Sequence, residues 1–146
     1  MIPSKLWRLI GGLGLALAAL GLGCGKGGNH ASVHGQVTLD GKPLEHGSIL
    51  FVPIQGAKGA PAGGPITNGS YELLGPGGPA IGVNRVEVQA VRKSGKMVQD
   101  PYAPKGQGKF IELEVGAVSP RFNAGSILKA EVKPGDNTAN FDVQSE

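Results

Sequence analysis

Cys24 is the only cysteine in the 146-residue chain, and it stands where an apolar stretch, "LALAALGLG", gives way to glycine and polar residues. A thiol can be a nucleophile, a metal ligand, half of a disulfide or a site of acylation, and each use demands a different neighbourhood. The three histidines, His30, His34 and His46, are the other natural metal ligands. In an extended chain His30 and His34 share a face, and His46 could approach across a hairpin, but no acid at ligand spacing accompanies them, so no metal site is expected. The serines Ser32, Ser48, Ser70, Ser94, Ser119, Ser126 and Ser145 stand in no G-x-S-x-G elbow. Glu112 and Glu114 share one face at strand spacing, and solvated strand positions explain them. Gly75-Pro76-Gly77-Gly78-Pro79-Ala80 fits G-x-G-x-x-A, yet a dinucleotide fingerprint must open a helix, and here Pro79 and a period-two segment follow. No catalytic residue, metal or cofactor is therefore expected.

The setting of Cys24 decides among its uses. Met1–Arg8 carries Lys5 and Arg8 and no acid, and 14 uncharged residues, Leu9–Leu22, follow. A basic start and a short apolar run form the pattern of a secretory signal peptide, and the run falls short of the roughly 20 residues a spanning helix needs. Residues 20–24, "LGLGC", resemble a bacterial lipobox: Gly23 supplies the small residue before the cut, although Gly21 stands where that motif usually has Leu. The resemblance implies cleavage after residue 23 and acylation of Cys24, with membrane lipid as its partner. Ala16-Leu17-Ala18 offers an ordinary cleavage site, and an uncleaved N-terminal anchor is the other alternative. Acylation accounts for a lone cysteine in an exported protein, where an unpaired thiol is otherwise out of place. Cys24 is thus the expected lipidation site, and the cell envelope the expected location.

The whole chain carries a net charge of +3, but Lys5 and Arg8 leave with residues 1–23, and 12 basic residues then face 11 acidic ones. These charges are interspersed, without the basic stripe or aromatic-studded groove of a nucleic-acid binder. Nucleic acid is not an expected partner.

What remains is of single-domain size. Residues 24–31 read as a glycine-rich tether and 32–146 as one β domain. Val33, Val37 and Leu39 alternate with polar or small neighbours up to Asp40-Gly41, a turn dipeptide. "GSILFVPI" reads as a strand, and residues 55–66, rich in Gly, Ala and Pro, as a mobile loop. Asn68-Gly69 predicts a hairpin joining Pro65–Thr67 to Ser70–Leu74. Val86, Val88 and Ala90 oppose Arg85, Glu87 and Gln89 across a strand, and Ile111, Leu113 and Val115 alternate with the two glutamates. Leu128, Ala130 and Val132 are expected to pair with Ala139, Phe141 and Val143 across the Pro134-Gly135 turn. Arg92–Gly125 is a long connection with a basic start. Without helical periodicity, the fold class is all-β: an antiparallel β-sandwich of about seven strands.

Several segments then resemble one family. "HGQVTLDGKPLEHGSILFVP" (34–53) is similar to the opening of a carboxypeptidase regulatory-like, or transthyretin-like, domain, with its DGKPL turn. "NGSYEL" (68–73) resembles that family's Gly-x-aromatic-x-Leu strand, and "GVNRVEVQAVRKSGK" (82–96) the strand after its Pro-Gly loop. "VSPRFNAGSILKAEVKPGDNTANFDV" (118–143) resembles the ending of small bacterial lipoproteins that carry this domain. The resemblance implies a transthyretin-like or Ig-like Greek key, and without a catalytic set the domain is expected to be non-enzymatic, in a structural role or bound to an envelope protein. Transthyretin-like hydrolases end in Tyr-Arg-Gly-Ser, whereas this chain ends "FDVQSE". A carbohydrate-binding module is the alternative. Trp7 lies in the signal peptide, so the aromatic platform for a glycan would have to come from Tyr102, Phe110 and Phe122.

Overall fold

The computed structural model describes residues 28–145. The expected signal peptide, Cys24 and the start of the expected tether lie outside them. Eleven strands follow in order: β1 (Ser32–Leu39), β2 (Lys42–Pro43), β3 (His46–Pro53), β4 (Ala62–Thr67), β5 (Ser70–Leu73), β6 (Gly82–Gln89), β7 (Val91–Gln99), β8 (Phe110–Gly116), β9 (Lys129–Val132), β10 (Asp136–Thr138) and β11 (Phe141–Val143). Nine of them form one curled, mostly antiparallel sheet in the order β10-β1-β5-β4-β3-β6-β9, with β2 and β11 also paired to β1. The sheet curls over on itself as a β-sandwich, and β7 and β8 form a separate two-stranded ribbon.

Turn chemistry fixes the hairpins. Asp40 and Gly41 (φ 51° and 80°) close β1 onto β2, and Asn68 and Gly69 (φ 49° and 78°) close β4 onto β5. Both two-residue turns need positive φ at both centres, which Asp, Asn and Gly adopt most readily. The inward alternation then builds one core: Val33 and Val37, Ile49 and Phe51, Ile66, Tyr71 and Leu73, Val86 and Val88, Val132, and Phe141 and Val143 are all buried. Leu128 and Ala130 pack against it partly buried. Phe51, Tyr71 and Phe141 meet at its centre with ring centroids 6.1–6.4 Å apart, within the range of favourable tilted and edge contacts.

Three sequence expectations are corrected. The strand expected at Pro65–Thr67 begins earlier: residues 62–64, expected in a loop, lie in β4. A Cβ on Gly63 would meet the Ile49 carbonyl oxygen at 2.5 Å and one on Gly64 the Leu73 side chain at 2.9 Å, so these glycines permit close strand packing. The C-terminal strands do not pair with each other. β9 adds antiparallel to β6, while β10 and β11 add parallel to β1. Alternation points Val132, Phe141 and Val143 inward in either arrangement and so cannot choose between them. Gly35 helps fix the observed one. The chain from β10 to β11 crosses so closely that a Cβ there would lie 1.8 Å from the Ala139 carbonyl oxygen. The Tyr71 hydroxyl donates to that oxygen at 2.8 Å, and the Asn140 side chain accepts the Gln36 N–H at 2.8 Å. Third, much of the long connection is a hairpin, β7 and β8.

Candidate functional site

The residues that could do chemistry are dispersed. His30 Nδ1 lies 2.8 Å from the Gly78 carbonyl oxygen, and His34 Nε2 lies 3.1 Å from the Thr138 hydroxyl. His46 is exposed at the start of β3, across from Thr67. Among the described residues no three His, Cys, Asp or Glu side chains come together as a metal-binding group. Gly75–Gly77 forms a single 3-10 turn whose first N–H is bound by the Ser32 hydroxyl, and β6 follows it. Ser94 and Ser126 accept the N–H two residues on. Ser145 donates its hydroxyl to Asp40 at 2.7 Å and its N–H at 3.0 Å, and these bonds hold the exposed carboxyl below its ordinary pKa. Burial pushes the Tyr71 hydroxyl well above the ordinary tyrosine range. Asn29–Ala31, read as tether, is pinned to the body: Ala31 N–H bonds Pro79 O at 3.0 Å, and Ile81 N–H bonds Asn29 O at 2.7 Å.

The ribbon is where exposed chemistry gathers. Its chain leaves the C-terminal end of β6 after Ala90, and the Ala117 N–H returns to the Ala90 carbonyl at 2.9 Å to close the base. Asn29 pairs at the opposite end of β6. The register Arg92↔Val115, Lys93↔Glu114, Met97↔Glu112, Val98↔Ile111 and Gln99↔Phe110 breaks between Lys93 and Met97 at a bulge. Gly95 holds φ 76° there, its N–H bonds Glu112 at 3.0 Å, and Lys93 pairs with the same carboxyl group at 3.5 Å. One face therefore carries Arg92, Val98, Ile111, Leu113 and Val115, and the other carries Lys93, Met97, Gln99, Phe110, Glu112 and Glu114. Glu112 and Glu114 share a face as expected, and Glu112 is held by Lys93 and Gly95.

Two turns stiffen the tip. Asp100 accepts the Ala103 N–H with its carbonyl (3.2 Å) and the Tyr102 N–H with its side chain (2.9 Å). The Gln107 N–H donates to Pro104 O at 3.0 Å across Gly106, whose φ is 92°. Tyr102 is 93% exposed, Phe110 60% and Met97 57%. Phe122 corrects the expected aromatic trio: it is 4% exposed, lies in the core, and carries the Arg121 guanidinium 4.7 Å above its ring. At the ribbon's base an open groove of about 760 Å³ lies between Lys42, Leu44, His46, Val91, Arg92 and Ala117.

The alternation of β8 is plain in the sequence, but its pairing with β7 is not, because the bulge interrupts the alternation of β7. The available signal was Asp100-Pro101 with Gly106 and Gly108, turn residues between two apolar-polar runs. Comparison with known protein families, with curated proteins and with solved structures gave no match.

Proposed function

We propose that this protein is a lipid-anchored, non-enzymatic domain of the bacterial cell envelope that acts by binding another envelope component. The observation that carries this reading is the join at Gly23-Cys24: a basic start, a short apolar run, then the chain's one cysteine before a glycine-rich segment. Five residue steps from Cys24 to Asn29 span at most about 17 Å, so an acylated cysteine would hold the β domain close to the bilayer. The resemblance to carboxypeptidase regulatory-like lipoproteins supports the same reading. The ribbon supports binding, because a projecting arm with exposed aromatic and aliphatic side chains offers contact area that the sheet does not need for its own core. Glycan binding keeps two of its three aromatics, Tyr102 and Phe110, and stands second.

Intact-mass analysis of the full chain, expressed in a bacterial host and extracted from membranes, tests the reading. The expected product lacks residues 1–23 and carries acyl mass on Cys24, and Cys24→Ser shifts the protein to the soluble fraction or to uncleaved precursor. A membrane-extracted product with a free thiol, or an N-terminus at Ala19, would overturn it.

A further inference from the structure

The distal part of the ribbon, residues 96–109, carries three lysines against one acid, whereas Arg92 and Lys93 balance Glu112 and Glu114 nearer the base. Glu112 and Glu114 lie toward its base, opposite Met97 and Lys93. Lys105 and Lys109 lie at the tip and Lys96 at the bulge beside Met97, all exposed and without an ion pair among the described residues. From Lys96 to Lys109 the one acidic residue is Asp100, whose carboxylate accepts the Tyr102 N–H. Lys96 adjoins Met97 and Lys109 adjoins Phe110 in the chain, Tyr102 stands in the turn between, and Val98, Ile111 and Leu113 share the other face of the ribbon from Met97 and Phe110.

We infer that the ribbon tip is a membrane-docking element that seats on the anionic surface of a lipid bilayer. Aromatic rings with a polar edge lie well at headgroup depth, and lysines beside them gain from the negative surface potential of anionic lipids. The tip is held by two turns and presents its lysines and Tyr102 to solvent, as contact with a broad surface requires. The inference stands on the ribbon and does not require the anchor. Where Cys24 is acylated, the two contacts lie at opposite ends of β6 and its ribbon.

The test uses the full chain with Trp7→Phe and Tyr102→Trp, which leaves one tryptophan, at the tip. Phosphatidylglycerol in phosphatidylcholine vesicles should shift its emission to the blue, and brominated acyl chains should quench it. Lys96, Lys105 and Lys109 changed together to Gln should weaken vesicle binding about fivefold per lysine, roughly a hundredfold in all. The same three changed to Arg should restore it, and an unchanged far-ultraviolet circular dichroism spectrum verifies that each variant is folded. No shift with anionic vesicles, or an equal shift with phosphatidylcholine alone, would overturn the inference. So would a shift with alginate, a lipid-free anionic glycan, as large as that with vesicles.

Discussion

β6 and β8 share one alternating pattern and meet opposite fates. In β6, Val86 and Val88 are fully buried, while Arg85, Glu87 and Gln89 take the other face. In β8, Ile111 and Leu113 stay 39% and 38% exposed. Alternation sets only which side chains share a face. Burial depends on what lies over that face and on how many strands flank it. β6 has β3 beside it along most of its length, β9 along its first half, and the curled sheet over its inner face. β8 has β7 alone among the described strands. A two-stranded ribbon is marginal in water by itself, so this one depends on the sheet that holds its base and offers its faces outward. The sheet supplies stability and the ribbon supplies surface.

That division is most open to attack at the centre of the sheet. Phe141 meets both Phe51 and Tyr71, and its removal leaves a cavity where three rings converge. Phe141→Ala should cost about 3–5 kcal/mol, measured by denaturant unfolding of the full chain. A loss under about 1 kcal/mol would mean that the ring cluster does not hold the sheet's layers together.

The inward residues of the sheet were legible because turn chemistry and period-two alternation act locally. Asp40-Gly41 and Asn68-Gly69 fix hairpins, and the strands beside them inherit their faces. Strand partnership was not legible at the C-terminus. Gly35 decides there, by leaving room for Ala139, and nothing local to Gly35 reveals that a chain some hundred residues away needs the space. Gly63 and Gly64 misled for a related reason: glycine marks loops, and it also marks places where strands approach closely. Of the candidate site, the aromatics and lysines of residues 93–125 were visible as types. Their grouping was not, because the bulge at Ser94–Lys96 hides the strand that carries half of them. Cys24 was read from the sequence alone and lies outside the described residues.

A smaller effect tests how the crossing over Gly35 is held. The Tyr71 hydroxyl bonds the Ala139 carbonyl at 2.8 Å, so Tyr71→Phe removes the bond and leaves that carbonyl without its side-chain donor. The expected loss is about 1–2 kcal/mol by chemical denaturation. The same hydroxyl sets an alkaline limit. Burial raises its folded-state pKa above the unfolded value near 10, so its contribution is complete below about pH 10 and falls as pH rises beyond that. In Tyr71→Phe that alkaline loss should be smaller, and an identical decline in both proteins would assign it to other groups.

The smallest expected effect lies in the ribbon. Leu113 sits mid-strand in β8, as apolar as Val88 in β6, and sequence alone would rank the two alike. If the ribbon's aliphatic face covers nothing essential in the folded protein, Leu113→Ser should change unfolding free energy by no more than about 0.5 kcal/mol, the range of ordinary surface substitutions. Val88→Ser in the same assay provides the contrast, since it puts a hydroxyl where β6 faces the core. Amide exchange reads the division without a substitution. The ribbon opens when one strand pair separates, whereas the sheet interior opens only when the layers part. The amides that pair β7 with β8 should therefore exchange faster than those that pair β3 with β6. A large loss from Leu113→Ser, or ribbon amides protected as strongly as those of β3, would show that another surface covers the ribbon and that its stability belongs to the core.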